Sequence, residues 1–219
     1  MILPDYKELS GGFTDNFVRR VGDHVLKSGS TVANEFNWYR AYRDKQSIPH
    51  IYSNDPGGIN MEFIPAVGRF TIDAILSLID VYKDYPKLNH LKFQAYRDKI
   101  TAHLYNNPVH NSSKLIKALE QIDVPATFCH GDLSINNIIA SADGMKLIDP
   151  LYGENFGSYW LDYAKLAFSL KFYRGDVSLY NEVVARTGVQ KVLIVSECVR
   201  VATYRPKFNF ITENLINEL

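Results

Sequence analysis

Three oxygen-bearing side chains stand out by type and spacing: Asp132, Asn137 and Asp149. Two short apolar runs, 138–140 and 145–148, flank a turn containing Asp143-Gly144, and this pattern predicts an antiparallel hairpin. Asn137 precedes the first run and Asp149 ends the second, so the two fall symmetrically about Asp143 and the fold of the hairpin brings their side chains together. An amide oxygen beside a carboxylate suits Mg²⁺, a hard cation that takes few protein oxygens and fills its shell with water and phosphate. Asp132, on the loop entering the hairpin, adds a carboxylate able to orient a hydroxyl and accept its proton. One proton acceptor and two metal oxygens form the inventory of phosphoryl transfer.

The spacing strengthens this reading. His130-x-Asp132-x-x-x-x-Asn137 followed by Asp149 is the pattern of a kinase catalytic loop and metal loop. A lone His-x-Asp carries little information; four residues with a hairpin between them carry much more. His130 follows an apolar stretch and adjoins Gly131, so its side chain is expected to pack inside and shape the loop rather than act as a base.

These residues resemble the aminoglycoside phosphotransferase and choline kinase superfamily, a branch of the protein-kinase-like fold. His130-Gly131-Asp132-Leu133-Ser134 is similar to that family's His-Gly-Asp loop, and Leu161-Asp162-Tyr163-Ala164 to its downstream Asp-x-Ala segment. Lys146-Leu147-Ile148-Asp149-Pro150, with Asp162-Tyr163-Ala164-Lys165-Leu166, is also similar to kinases encoded with bacterial capsule and lipopolysaccharide genes. The resemblance implies a nucleotide loop at Ser10-Gly11-Gly12-Phe13-Thr14-Asp15-Asn16, with Gly11 and Gly12 facing phosphate. It implies a phosphate-contacting Lys27 with Glu35 as its ion-pair partner, and an adenine-binding segment at Glu62 and Phe63. His130 and Asp162 are its structural supports, and ATP and Mg²⁺ its cofactors, with ATP lying between two lobes. The loop after Asp149 would face the acceptor, with Tyr152, Glu154, Tyr159 and Trp160 as candidate contacts; a glycine-containing loop packed by its own aromatics accounts for those residues equally well.

Some features depart from the family pattern. Pro150 stands where many members have an aromatic residue, the gap from Lys27 to Glu35 is short, and no acidic aminoglycoside pocket is evident. Inactivation of an antibiotic is therefore not implied. The expected activity is transfer of phosphate from ATP to a hydroxyl of a small molecule: a sugar, amino alcohol or polyol. The alternatives are a nucleotide-binding regulatory module without catalysis, and a protein kinase. Against the latter, the stretch from Asp149 to Asp162 is too short for a full activation segment, and no Ala-Pro-Glu follows it.

The elements that must position these residues change character along the chain. Phe17–Val21 and His24–Lys27 flank Gly22-Asp23, a type II′ hairpin signal. Residues 31–45 have a helical stripe of Val32, Phe36, Tyr39 and Tyr42, and 59–64 read as a strand. Helices are expected over 70–83, 90–105, 113–122, 158–173, 176–186, 189–204 and 208–218. Strands first and helices later predict an α+β fold: a small antiparallel-sheet N-terminal lobe, residues 1–65, and a larger helical lobe, 66–219, carrying the catalytic and metal loops.

Composition excludes other classes. Among 219 residues, 24 Lys plus Arg balance 24 Asp plus Glu, so the basic excess of a nucleic-acid binder is missing. No apolar run is long enough to span a membrane. Cys129 and Cys198 lack zinc or disulfide spacing. With an N-terminus that does not read as a signal peptide, these features lead to the expectation of a cytoplasmic protein. The sequence leaves the oligomeric state open.

Overall fold

The computed structural model describes residues 6–9, 17–55, 57–85, 91–151 and 157–219. It divides into two compact units, residues 1–81 with 136–153, and residues 82–135 with 154–219. The expected lobe boundary at residue 65 falls inside the first unit. The segment 66–81 belongs there, as does the hairpin carrying Asn137 and Asp149.

The first unit is built on a five-stranded antiparallel sheet in the order β1-β2-β3-β5-β4. Its strands are β1 (Tyr6–Leu9), β2 (Phe17–Val21), β3 (His24–Ser28), β4 (Ile51–Asp55) and β5 (Gly58–Glu62). Gly22 supplies the positive φ of 61° between β2 and β3, and Asp23 stays at negative φ, as the type II′ turn requires. Lys27 pairs with Ile59 and Val25 with Met61. Lys27 therefore shares the sheet face that buries Ile59 and Met61.

Helix α1 (Val32–Ala41) is buried along Val32, Glu35, Trp38 and Tyr39, continuing to Tyr42 just beyond its end. Trp38 stacks on Tyr42 at 4.7 Å. This stripe is rotated from the expected one: Phe36 is only half-buried, and the buried place goes to Glu35. After α2 (Ile72–Asp80) the chain leaves this unit and returns as β6 (Ile138–Ser141) and β7 (Gly144–Leu147). Their hairpin is tied down by Gly68 N–H donating to Ala140 O at 2.8 Å and by Lys146 Nζ donating to Gln46 O.

The second unit contains α3 (Leu91–Asn106), α4 (Ser112–Glu120), α5 (Tyr159–Ser169), α6 (Val177–Thr187), α7 (Lys191–Ala202) and α8 (Asn209–Asn217). Ser158 caps α5 and Asp176 caps α6 through side-chain oxygens. In α5 every residue from Leu161 to Ser169 is buried, and in α7 every residue from Val192 to Ala202. Helices buried all round form the centre of a core, and each large apolar side chain there contributes about 1.5–3 kcal/mol. Charged residues inside such helices must find partners, and they do so beside Asp132.

Candidate functional site

The first cluster lies within the sheet-bearing unit. Lys27 Nζ is 2.5 Å from Glu35 Oε1 and 2.7 Å from Asp149 Oδ1. Lys27 and Glu35 are 5% and 4% exposed, whereas the Asp149 side chain is 51% exposed. Burial alone would lower the pKa of Lys27, but Asp149 and Glu35 reverse this and raise it. Burial pushes the Glu35 carboxyl up to about 7, against the pull of Lys27. The Tyr39 phenol, one helical turn from Glu35, is driven well above its ordinary value by burial and by the charges of Glu35 and Asp149.

The hairpin register differs from the expected one. Ile138 pairs with Leu147 and Ser141 with Gly144, so the turn residues are Ala142 and Asp143 and the symmetry point lies between them. Asn137 O accepts from Ile148 N–H at 3.0 Å. Asn137 thus stands opposite Ile148, and Asp149 is one residue beyond that pairing. Asp149 has a φ of 58°, in the left-handed region that a non-glycine residue enters at a cost. The hairpin therefore delivers Asp149 through a sharp backbone turn rather than as the mirror image of Asn137.

The second cluster lies within the helical unit, on the loop between α4 and β6. Asp162 of α5 accepts from His130 N–H at 2.7 Å and from Gly131 N–H at 2.9 Å. Gly131 has a φ of 84°, which suits a residue without a side chain. His130 is fully buried, and its Nδ1 accepts from Asp132 N–H at 3.3 Å, which leaves the ring proton to Nε2. Both side chains thus brace the loop. Burial pushes the Asp162 carboxyl up to about 7 in spite of the two N–H donors.

Two residues not singled out from the sequence converge on Asp132. Lys165 Nζ is 3.1 Å and Arg200 Nη2 3.2 Å from Asp132 Oδ1. Desolvation works against the Asp132 carboxylate, but Lys165 and Arg200 outweigh it and hold its pKa below the ordinary range. Arg200 Nε also donates to Glu197 Oε2 at 2.9 Å, and Tyr96 hydroxyl to Glu197 Oε1 at 3.0 Å. A signal was present in the sequence: Glu197 and Arg200 interrupt an apolar helix three positions apart, and Lys165 interrupts another.

The remaining candidates are placed as follows. Glu62 N–H donates to His50 O, and its carboxylate Oε2 accepts from His50 N–H. Phe63 N–H donates to Asp23 O, and its ring lies 3.5 Å from the Arg20 guanidinium. The N–H groups of Glu62 and Phe63, in the segment expected to bind adenine through its backbone, are thus engaged inside the unit. Tyr159 and Trp160 are half-buried in the first turn of α5, their rings 5.7 Å apart and packed on Tyr163. Gly11, Gly12, Tyr152 and Glu154 lie outside the described residues. Among the described residues, no three or more His, Cys, Asp or Glu side chains gather into a metal site, and no helix is long and apolar enough to cross a membrane.

Solved structures match over nearly the full chain. A choline/ethanolamine kinase family protein from Mesorhizobium loti is 17% identical, with a TM-score of 0.58, covering 98% of this chain and 87% of its own. Choline kinase LicA from Streptococcus pneumoniae is 16% identical, with a TM-score of 0.61, covering 98% and 92%. The streptomycin–ATP complex of the aminoglycoside phosphotransferase APH(2″)-IIa is 14% identical, with a TM-score of 0.57, covering 90% and 84%. The chain has the protein-kinase-like fold. Its small antiparallel sheet and helical C-terminal region are those of the choline kinase and aminoglycoside phosphotransferase structures. No protein-family model matches the sequence, and no curated protein matches it by sequence.

Proposed function

We propose that the protein is an ATP- and Mg²⁺-dependent phosphotransferase acting on a hydroxyl of a small molecule: a sugar, amino alcohol or polyol. The observation that carries this reading is the buried Lys27 held jointly by Glu35 and Asp149. A lysine fixed by a helix glutamate, next to the aspartate ending the metal loop, is the arrangement a kinase needs at its nucleotide phosphates. Two of the three ammonium donors go to carboxylates, leaving one direction for a phosphate oxygen.

Asp149 and Asn137 suit a Mg²⁺ ion. Both offer hard oxygen atoms, the Asp149 carboxylate is half-exposed, and a kinase Mg²⁺ takes only one or two protein oxygens beside phosphate. When bound, the ion would neutralise charge on the phosphate oxygens. Asp132 orients the acceptor hydroxyl. As the acceptor oxygen bonds to the γ-phosphorus and the bond to ADP breaks, the hydroxyl proton passes to the Asp132 carboxylate. The transition state is loose, so the depressed basicity of Asp132 matters less than its placement.

The test combines ATP-dependent thermal stabilisation, with and without Mg²⁺, and ³¹P detection of turnover over sugars, amino alcohols and polyols. Mg²⁺-dependent stabilisation with phosphate transfer to one acceptor class is the expected result. Asp132→Ala should cut kcat roughly 10²–10⁴-fold and leave ATP binding in place. Stabilisation with no transfer to any acceptor would instead identify a nucleotide-binding module.

A further inference from the structure

The helical unit contains a buried charge network that the phosphotransferase reading does not by itself require. Asp132, Lys165, Arg200 and Glu197 place two carboxylates and two cations in one connected group. Lys165, Glu197 and Arg200 are all buried, and Tyr96 closes the far end. Surface ion pairs of flexible side chains contribute little. Here both cations are anchored by Glu197, at 2.9 Å from Arg200 and 3.9 Å from Lys165, and both meet the same oxygen of Asp132.

We infer that Lys165 and Arg200 are positioning residues for Asp132, fixing its carboxylate plane through a shared contact at Oδ1. The inference rests on the reading of Asp132 as the residue that receives the acceptor hydroxyl. A carboxylate on a loop turns freely about its terminal torsion. Two cations from two buried helices, α5 and α7, define one orientation for it. Glu197 keeps both cations aimed at Asp132, and the Tyr96 hydroxyl keeps Glu197 aimed at them.

The same contacts keep Asp132 ionised. The groups facing it are His130 on its own loop, Asp162 and Lys165 of α5, and Glu197 and Arg200 of α7, with Tyr173 beyond. His130 is used as an acceptor by Asp132 N–H. Glu197 meets the network through Arg200 and Lys165, and Asp162 meets the loop through the N–H groups of His130 and Gly131.

The experiment is a ¹³C-carboxylate titration of aspartate-labelled protein, with Asp132 assigned by Asp132→Asn. It is paired with the pH dependence of ATP turnover. In the wild type, Asp132 should titrate below the ordinary carboxylate range. Lys165→Met and Arg200→Met should each raise its midpoint. Each should also lower kcat by about 10²-fold at unchanged KM for ATP, and move the acid limb of the kcat profile upward with the midpoint. Arg200→Lys should restore part of both. Since removing one cation unbalances the network, Lys165→Met/Glu197→Gln and Arg200→Met/Glu197→Gln keep the charges equal and should still raise the midpoint, by less. Folded variants whose Asp132 midpoint stays at the wild-type value overturn the inference. Absence of any ATP turnover by the wild type would sink the kinase reading alone, because the titration decides the positioning contacts independently.

Discussion

Lys27 and Asp149 lie 122 positions apart in the chain, and their side chains meet at 2.7 Å. The contact joins the central strands of the N-terminal sheet to the hairpin that returns to it after residue 135. Lys27 reaches it because the β3–β5 register turns it toward α1, where Glu35 takes its second contact.

The buried Lys27–Glu35 pair has a stability consequence. Removing one member of a buried ion pair leaves the other charge unpaired and costs about 3–5 kcal/mol. Lys27→Met should therefore lower the unfolding free energy in urea titrations, by at most about this amount and most at pH 8, because Glu35 takes up a proton more readily once Lys27 is gone. Lys27→Met/Glu35→Gln, which removes both charges, should recover most of the loss. Neither variant should be stabilised by ATP. A Lys27→Met protein as stable as the wild type would mean that Glu35 draws little from the contact.

Glu35 also sets a pH dependence. Its folded pKa of about 7 lies above the ordinary 4.5, so the folded state binds the proton more tightly than the unfolded chain. The associated stability is fully present below pH 4.5 and is lost as pH rises through about 7. Asp162, raised from 3.8 to about 7, has the same sign. His103, lowered by burial, has the opposite sign near its ordinary 6.5. Unfolding free energy measured from pH 5 to pH 8 should fall more steeply for the wild type than for Glu35→Gln. Parallel curves would remove Glu35 as a source.

The left-handed backbone at Asp149 separates its chemistry from its conformation. An L-residue there costs roughly 1–2 kcal/mol, and aspartate tolerates it better than alanine. Glycine adopts it freely. Asp149→Gly should therefore be more stable than Asp149→Ala by about 1 kcal/mol, while both lose Mg²⁺-dependent ATP stabilisation. Equal stability of the two variants would indicate that the backbone relaxes out of the left-handed region.

Much of this was legible because periodicity and turn chemistry are local. The β2–β3 hairpin, all eight α-helices of the described residues and the β6–β7 hairpin follow from patterns within a few residues of each other. The misses were of register and of partnership. The β6–β7 turn is Ala142-Asp143 rather than Asp143-Gly144, and a shift of one position decides what faces Asn137. Strand β4 was not anticipated, since Ser53-Asn54-Asp55 has the composition of a turn; it forms at a sheet edge with an irregular register between Ile51 and Ser53. The α1 stripe expected through Phe36 runs instead through Glu35, the residue that the family resemblance pairs with Lys27 and that Lys27 draws inward. The meaning of Lys165 and Arg200 lies in a contact with Asp132, 33 and 68 positions away, and that of Glu197 in its contacts with those two cations, so no local pattern reveals it. A charge in the middle of an apolar helix was the available clue.

Gly68 is a further residue whose importance is invisible in the sequence. Its N–H donates to Ala140 O at 2.8 Å, and the backbones approach so closely that a Cβ on Gly68 would stand 2.4 Å from Ser141 O and 2.9 Å from Ala140 C. Those atoms belong to β6, so no flexible side chain can move aside. Gly68→Ala must push the hairpin away from the segment that holds it, and overpacking of this kind costs about 1–3 kcal/mol. The same displacement moves Asn137 and Asp149, at the two ends of the hairpin, relative to Lys27. Gly68→Ala should therefore weaken Mg²⁺-dependent ATP stabilisation beyond what its loss of stability explains. Gly22→Ala, in an open turn where a Cβ meets nothing within 4 Å, should lower stability through its φ of 61° alone and leave ATP stabilisation at the wild-type shift. If both variants lose ATP stabilisation only in proportion to stability, the hairpin does not depend on Gly68 for its placement.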